Sequence, residues 1–277
     1  MRNSCFIKEH EDSAFTDPIR ARHSRAYLVK EHVVYDRLKT AGFAALPSGT
    51  ALHEDSLLTM EALHPRDGWR WKRPDDLELQ HRYIAETLDT LRELERHDAS
   101  ELPSFLPDIN DSFPTIQREG WHNYSASRPK IIALLSECQI SGATQLREKV
   151  DELYTNYRQL PAAVPSVFSH HDIRQSNIAW HPEKGVKIID WSWAGQGVPG
   201  TDTTSLLIDI AKSGVDVLDY LHEYFNPDHA LVLIGFWLEH STWPTASGDQ
   251  TVRLHQVASA IAGASLLGEY TKLHART

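Results

Sequence analysis

The sequence contains very little cysteine and no long apolar stretch. Of its 277 residues only Cys5 and Cys138 are cysteines, and they do not have the spacing of a metal site. This scarcity excludes a small disulfide scaffold and favours a reducing compartment. Because no run of about eighteen uncharged apolar residues and no signal-peptide core is present, we expect no membrane contact and a cytoplasmic location.

Positive charge is also in short supply. Lys and Arg number 28 against 38 Asp and Glu, so the formal net charge is −10. A general nucleic-acid binder needs a basic face, and this balance therefore argues against nucleic acid as a partner. The hydrophobic fraction of 41% and the charged fraction of 24% are those of a globular protein and exclude wholesale disorder.

Hydrophobic periodicity predicts an α+β chain with a small mixed N-terminal part and a large, mainly helical C-terminal part. Gly42 is expected to cap the first helix, and a turn with Gly185 is expected to close a hairpin in the second half. The predicted strands are 5–8, 50–52, 56–60, 167–168, 178–180 and 186–189. The predicted helices are 20–40, a helix from 74, 128–137, 143–159, 202–212, 228–240 and 251–272, and 108–126 is expected to be irregular.

One segment carries the chemistry, namely His170-x-Asp172-x4-Asn177 followed by Asp190 at the end of the predicted hairpin. Phosphoryl transfer needs magnesium held across the phosphates and a hydroxyl oriented for attack. Magnesium prefers hard oxygen ligands, and a hairpin would bring the Asn177 amide and the Asp190 carboxylate together. Asp172 could then accept the hydrogen bond of the acceptor hydroxyl. The spacing therefore predicts a phosphotransferase site.

This pattern resembles the catalytic core of the aminoglycoside phosphotransferase and choline kinase family. The resemblance implies the two-lobed protein-kinase-like fold. It places an N-terminal lobe at 1–62, with a hinge at its end, and a helical C-terminal lobe at 63–277 that carries the catalytic loop and the metal-binding hairpin. It further implies ATP and Mg²⁺ as cofactors and a small-molecule hydroxyl as acceptor.

The resemblance also assigns roles around the motif. Asp172 is expected to be the catalytic base, and Arg174 to lie near the transferring phosphate. Asn177 and Asp190 are expected to bind magnesium. His170 is expected to be structural and to pack beneath the metal-binding loop.

In the N-terminal part the resemblance assigns the nucleotide contacts. Lys8 is expected to grip the α- and β-phosphates and to pair with Glu31. The backbone carbonyl of Met60 and the N–H of Ala62 are expected to bond the purine edge. Only seven residues precede Lys8, where the family has two strands and a phosphate-covering loop, so the N-terminal lobe is expected to be shortened.

Two alternatives stay open from the sequence. The short N-terminus is compatible with a catalytically impaired pseudokinase that binds nucleotide or ligand without turnover. His170, His171 and Asp172 could instead belong to a metallohydrolase, although no further ligands at metal spacing are evident. The identity of the acceptor, the choice of ATP or GTP, and the oligomeric state are not marked by any motif.

Overall fold

The structure of the protein is a computed structural model that describes residues 5–10, 18–97, 115–116, 119–244 and 250–275, with side chains in the first helix described from residue 21. The chain divides into two units. The first contains Met1–Ser112 and Ser166–Gly197, and the second contains Phe113–Pro165 and Val198–Thr277. The first unit thus joins the N-terminal elements to the segment that contains His170 and Asp190. The lobe boundary at 62/63 stays a prediction.

The N-terminal elements form a small antiparallel sheet beside a long helix, as the sequence predicts. The elements are β1 (Cys5–Glu9), α1 (Pro18–Thr40), β2 (Ala51–His53) and β3 (Leu57–Glu61). The strand order is β1-β3-β2, and Lys8 pairs with Leu58 in the ladder. Leu58 and Met60 are buried on one face of β3, as period-2 alternation requires. Gly42 ends α1 in the left-handed conformation (φ 83°), which confirms the predicted cap.

Helix α2 (Leu77–Leu94) is the helix predicted from 74, and it begins three residues later than predicted. The carboxylate of Asp76 accepts a hydrogen bond of 3.0 Å from the N–H of Leu79 and caps the first turn. Ile84, Leu88 and Leu91 are buried on one side of the helix. The apolar stripe read from the sequence is therefore the face that packs into the core.

Two short antiparallel strand pairs lie in the segment of the first unit that contains the His170–Asp190 motif. The strands are β4 (Val167–Ser169), β5 (Ile178–His181), β6 (Gly185–Ile188) and β7 (Gly195–Gly197). The β5–β6 hairpin was predicted, but the pairing of β7 with β4 was missed. The β7 sequence Gly-Gln-Gly has no hydrophobic alternation, so tertiary contact alone defines it. A Cβ atom at Gly197 would overlap Ser169, which explains glycine there.

The described part of the second unit is helical. Its helices are α3 (Tyr124–Glu137), α4 (Ala143–Tyr157), α5 (Thr201–Lys212), α6 (Leu218–Tyr224), α7 (Pro227–Ser241) and α8 (Thr251–His274). Five of these match predicted helices; the seven-residue α6 was missed because it is too short to show a helical period. The predicted irregular region 108–126 lies partly outside the described residues. None of the helices within the described ranges has the length and apolarity needed to cross a membrane.

The core of the second unit contains a tight helix contact that can be tested. Trp121 is buried, and its indole N–H donates to the carbonyl of Leu231 at 2.8 Å. A Cβ atom at Gly235 would overlap the Trp121 ring, whereas a Cβ atom at Gly268 would meet nothing within 4 Å. Both glycines lie inside helices, α7 and α8 respectively. The two positions therefore form a matched pair.

We expect Gly235→Ala to lower the free energy of unfolding by about 1–3 kcal/mol, because overpacking exceeds the gain in helix propensity. Gly268→Ala is expected to raise it by up to about 1 kcal/mol, because only the propensity gain applies. Urea denaturation of both variants measures the difference. Equal stabilisation of both would show that Trp121 does not pack against Gly235.

Candidate active site

A shared ammonium group joins three elements of the first unit. The Nζ of Lys8, on β1, lies 2.7 Å from Oε2 of Glu31, on α1, and 2.9 Å from Oδ1 of Asp190, just after β6. Glu31 is 1% exposed, so its carboxylate is taken out of water and needs this partner. The structure thus contains the Lys8–Glu31 pair that the resemblance implies and brings Asp190 to the same atom.

Burial and charge compete at these three groups. Burial lowers the pKa of Lys8, but the Glu31 and Asp190 carboxylates outweigh it, and the pKa of Lys8 is raised. Burial raises the pKa of Asp190, but the nearby Lys8 ammonium outweighs it, and the pKa of Asp190 is lowered. Burial raises the pKa of Glu31 despite the opposing effect of Lys8. Lys8 is therefore a cation and Asp190 an anion at neutral pH.

Tyr35 is a residue of this network that sequence reasoning missed. Its hydroxyl donates to Oε1 of Glu31 at 3.4 Å, on the carboxylate oxygen that Lys8 does not contact. Its buried ring also meets Trp191 edge-on, with ring centroids 6.4 Å apart. Tyr35 follows Glu31 by one helical turn, and that i,i+4 spacing was the signal available in the sequence. Tyr35 therefore helps to fix the orientation of Glu31.

Two residues of the loop after His171 hold Asp172 by one of its carboxylate oxygens. The amide Nδ2 of Asn177 donates to the backbone carbonyl of Asp172 at 2.8 Å and to its Oδ2 at 3.2 Å. The Arg174 guanidinium lies 3.1 Å from the same Oδ2. Asp172 and Arg174 are both partly exposed, with 35% and 45% of their side chains accessible. The carboxylate is therefore oriented by the protein and still reachable by solvent.

The β5–β6 hairpin brings Asn177 and Asp190 to neighbouring backbone positions. Ile178 pairs with Ile188, and the N–H of Ile189 donates to the carbonyl of Asn177 at 3.0 Å. Asp190 adopts a left-handed conformation with φ of 67°. A non-glycine residue in that region costs of order 1–3 kcal/mol unless its surroundings enforce it. Its contacts with Lys8 and with the Ser192 hydroxyl, at 3.2 Å, provide that enforcement.

This donor set fits magnesium. Asn177 uses its amide N–H groups on Asp172, which leaves its Oδ1 as the atom it can offer to a cation. An amide oxygen and a carboxylate are the hard ligands that magnesium takes when phosphate and water complete its shell. Across the described ranges no group of three or more His, Cys, Asp or Glu side chains is placed to hold a metal without such help.

Both ring nitrogens of His170 and one of His171 contact the backbone. Nδ1 of His170 accepts from the N–H of Asp172 at 3.2 Å, and its Nε2 donates to the carbonyl of Ile189 at 3.0 Å. Nε2 of His171 lies 2.8 Å from the carbonyl of Gln196. The metallohydrolase alternative needs these nitrogens as ligands, and this arrangement disfavours it. The bonds of His170 instead tie the loop around Asp172 to the segment that carries Asp190.

Burial lowers the pKa of His170 to about 4, and the same effect acts on His229 in the second unit. Neither ring nitrogen of His229 has a hydrogen-bond partner among the described residues. A histidine in the unfolded chain has a pKa near 6.5. Between pH 6.5 and 4 it is therefore protonated in the unfolded chain and neutral in the folded protein. The free energy of unfolding is therefore highest above pH 6.5. It falls by about 3 kcal/mol for each of the two histidines as the pH is lowered from 6.5 to 4.

We expect His229→Leu to remove its share of this pH dependence. As the pH falls from 7 to 4.5, the free energy of unfolding should decrease less in the variant than in the unsubstituted protein. Urea denaturation at several pH values measures it. Parallel stability curves for the two proteins would show that His229 is not buried as a neutral ring.

The predicted hinge lies at the end of β3. Met60 is buried, and its Sδ lies 3.8 Å from the Tyr35 hydroxyl. The carboxylate of Glu61 accepts from the Ser48 hydroxyl at 2.8 Å, which anchors the strand end. Ala62 follows directly after the strand. Nucleotide binding by the backbone of Met60 and Ala62 stays a prediction, as do the roles of Lys8, Glu31, Asp172, Arg174, Asn177 and Asp190.

Comparison with known proteins identifies the relatives of this arrangement. The sequence model described as "Phosphotransferase enzyme family" matches residues 8–232. A comparison with curated proteins found no significant match. The crystal structure of choline kinase LicA from Streptococcus pneumoniae is similar, with a TM-score of 0.55 and 14% identity over 95% of this chain and 86% of that chain.

Two aminoglycoside phosphotransferase structures are similar to this chain to the same degree. The enzyme from Alicyclobacillus acidocaldarius has a TM-score of 0.54 and 15% identity, covering 91% of this chain and 85% of that chain. The ternary complex of APH(2")-IIa with streptomycin and ATP has a TM-score of 0.53 and 15% identity, covering 95% and 84%. At such identities the likeness concerns the fold, and it confirms the predicted protein-kinase-like α+β fold.

Proposed function

The chain belongs to the phosphotransferase enzyme family, and we propose that it moves the γ-phosphate of ATP to a hydroxyl of a small molecule in a magnesium-dependent reaction. The observation that carries this proposal is the Lys8 ammonium shared by Glu31 and Asp190, beside the hairpin that presents Asn177. The arrangement combines a cation for phosphate oxygens with hard oxygen ligands for magnesium.

Lys8 would bind the α- and β-phosphates, held in place by Glu31. Tyr35 would keep Glu31 in the orientation that Lys8 needs, through the hydroxyl contact of 3.4 Å. The backbone of Met60 and Ala62 would receive the purine edge. The solved relative with streptomycin and ATP shows that this fold accommodates ATP in that protein.

Asn177 Oδ1 and the Asp190 carboxylate would hold magnesium, which neutralises charge on the phosphates when bound. The bond between Lys8 and Asp190 supports this role, because it keeps the carboxylate ionised and fixes its direction. The contact between Asn177 and Asp172 would in turn connect the metal ligand to the catalytic carboxylate.

Asp172 would accept the proton of the acceptor hydroxyl while the new O–P bond forms and the bond to ADP breaks. Its partial exposure leaves room for an acceptor to reach it. Arg174, which now contacts Asp172, would stabilise the charge on the transferring phosphate. The impaired pseudokinase alternative is not favoured, because every residue type that the reaction needs is present.

The proposed activity is tested by incubating the protein with Mg²⁺ and ATP and a panel of aminoglycosides, choline, sugars and amino alcohols. We expect ADP release that depends on one class of acceptor and stops when EDTA removes the metal. The same assay with GTP decides the donor. An absence of both nucleotide binding and acceptor-dependent turnover across the panel would contradict the proposal. Use of ATP agrees with the predicted cytoplasmic location, which we retain as part of the proposal.

A further inference from the structure

A cavity of about 480 Å³ lies in the second unit, between the C-terminal end of α4 and the N-terminal end of α7. Cavities of about 300–1,000 Å³ are typical of small-molecule sites. All residues that line this cavity belong to the second unit, and the proposed function gives a role to none of them. The cavity is therefore a candidate for a further binding site.

Most of the cavity wall is apolar. It is formed by residues 160–163, which follow α4, and by Val198 and Val232. The side chains of 160–163, which are Leu-Pro-Ala-Ala, offer no hydrogen bond to water. An apolar group that replaces water against such a wall is stabilised by its own burial. The wall therefore favours a ligand with an apolar body.

His229 is a buried polar residue of this wall. It is 2% exposed, and neither of its ring nitrogens has a hydrogen-bond partner among the described residues. Its backbone N–H, in contrast, donates to the side-chain oxygen of Asn226 at 3.0 Å. Buried polar atoms without partners are unfavourable and uncommon in folded proteins. A ligand that supplies a partner for the ring would recover part of this free energy.

A ligand can reach the His229 ring only if the ring turns. Both ring nitrogens are covered by neighbouring protein atoms, although the residue lines the cavity. The torsion about the Cβ–Cγ bond of histidine is broad, so a turn of the ring costs little. Because no hydrogen bond to a described residue holds the nitrogens, the turn also breaks none.

Two features at the mouth of the cavity attract negative charge. Arg158, the first residue after α4, is exposed and has no ion-pair partner among the described residues. Its guanidinium presents a planar fork of N–H groups that matches a carboxylate. The fifteen-residue helix α7 begins at Pro227, and its dipole places partial positive charge at this end.

Asp228 is the opposing charge. It lies in the first turn of α7, is exposed, and also lines the cavity. An ammonium ligand could pair with Asp228, but it would then meet both the positive end of α7 and the Arg158 guanidinium. A carboxylate ligand meets repulsion from Asp228 alone, and water and salt screen that exposed charge. The balance therefore favours a carboxylate.

We propose that this cavity binds a small organic carboxylate with an apolar body, which pairs with Arg158 and accepts a hydrogen bond from the His229 ring. The apolar body would lie against residues 160–163. Because the cavity shares no residue with the phosphotransfer site, this proposal stands or falls independently of the proposed function.

The test compares three probes that share a benzene ring, namely benzoate, benzyl alcohol and benzylamine. Their binding is followed by NMR titration of the protein labelled with ¹⁵N-histidine. We expect benzoate to bind at least about tenfold more tightly than the other two, because a charge-assisted pair with arginine contributes at least that much. Only benzoate should shift the ring nitrogens of His229, whose signals are those absent from His229→Leu.

Three variants assign the contacts. Arg158→Gln should weaken benzoate by about tenfold, and His229→Leu by about fivefold, in line with the loss of a charged and of a neutral hydrogen bond. Asp228→Asn should strengthen benzoate by about two- to threefold, because it removes the repulsion. Arg147→Gln is the matched control, since Arg147 lies on α4 and does not line the cavity. It should bind benzoate as the unsubstituted protein does.

Several results would overturn the proposal. Absence of benzoate binding would show that the cavity holds water only. Benzylamine binding that exceeds benzoate binding and is lost in Asp228→Asn would identify a site for amines instead. Benzoate binding that persists unchanged in both Arg158→Gln and His229→Leu would place the probe elsewhere on the protein.

Discussion

Asp172→Asn is expected to lower kcat by about three orders of magnitude and to leave the Kd for ATP within about twofold. A positioned general base contributes about 10²–10⁴ in rate, and asparagine cannot take the proton of the acceptor hydroxyl. The substitution preserves the side-chain shape. It also preserves the bond from Asn177 to the backbone carbonyl of residue 172.

The matched control is Asp151→Asn in the second unit. Asp151 is also an aspartate in an ion pair with arginine, since its Oδ2 lies 2.6 Å from Arg128. That pair is exposed, so its removal is expected to cost little stability. We expect unchanged kcat in the control. If Asp172→Asn kept more than a tenth of the original kcat, Asp172 would not be the catalytic base.

Asp190→Asn is expected to lower kcat/KM for ATP by about 10³-fold and to abolish the increase in ATP affinity that Mg²⁺ produces. The variant loses a charged magnesium ligand, and it also loses the carboxylate that directs the Lys8 ammonium. Asparagine tolerates the left-handed backbone that residue 190 requires. The loss of function therefore should not come from strain.

Asp55→Asn provides the control for this second substitution. Asp55 also has a left-handed backbone, with φ of 55°, and lies in the exposed turn between β2 and β3. The same chemical change there should leave ATP binding and turnover unaltered. Calorimetry with and without Mg²⁺, together with steady-state kinetics, separates the two variants. Full magnesium-dependent binding by Asp190→Asn would exclude Asp190 as a metal ligand.

The parts of the site that could be predicted are those coded by neighbouring residues. The hairpin between Asn177 and Asp190 follows from two apolar runs on either side of a turn with Gly185, and its register then joins the two motif ends. Capping at Asp76 and Gly42 is equally local. Local signals of this kind need no knowledge of the rest of the chain.

The parts that were missed depend on distant contacts. Strand β7 exists because it pairs with β4, and its sequence carries no pattern of its own. Tyr35 looks like any core aromatic until Glu31 is known to be buried beside it. The contact between Arg174 and Asp172 depends on the conformation of the loop. The grouping of 166–197 with the N-terminal elements is likewise a product of tertiary packing.

A crystal structure of the protein with Mg²⁺ and a non-hydrolysable ATP analogue tests the central claim most directly. We predict a magnesium ion about 2.1 Å from Oδ1 of Asn177 and from a carboxylate oxygen of Asp190, with Lys8 Nζ bonded to a phosphate oxygen. A nucleotide bound elsewhere, or a metal that contacts neither residue, would contradict the assignment of this site to phosphoryl transfer.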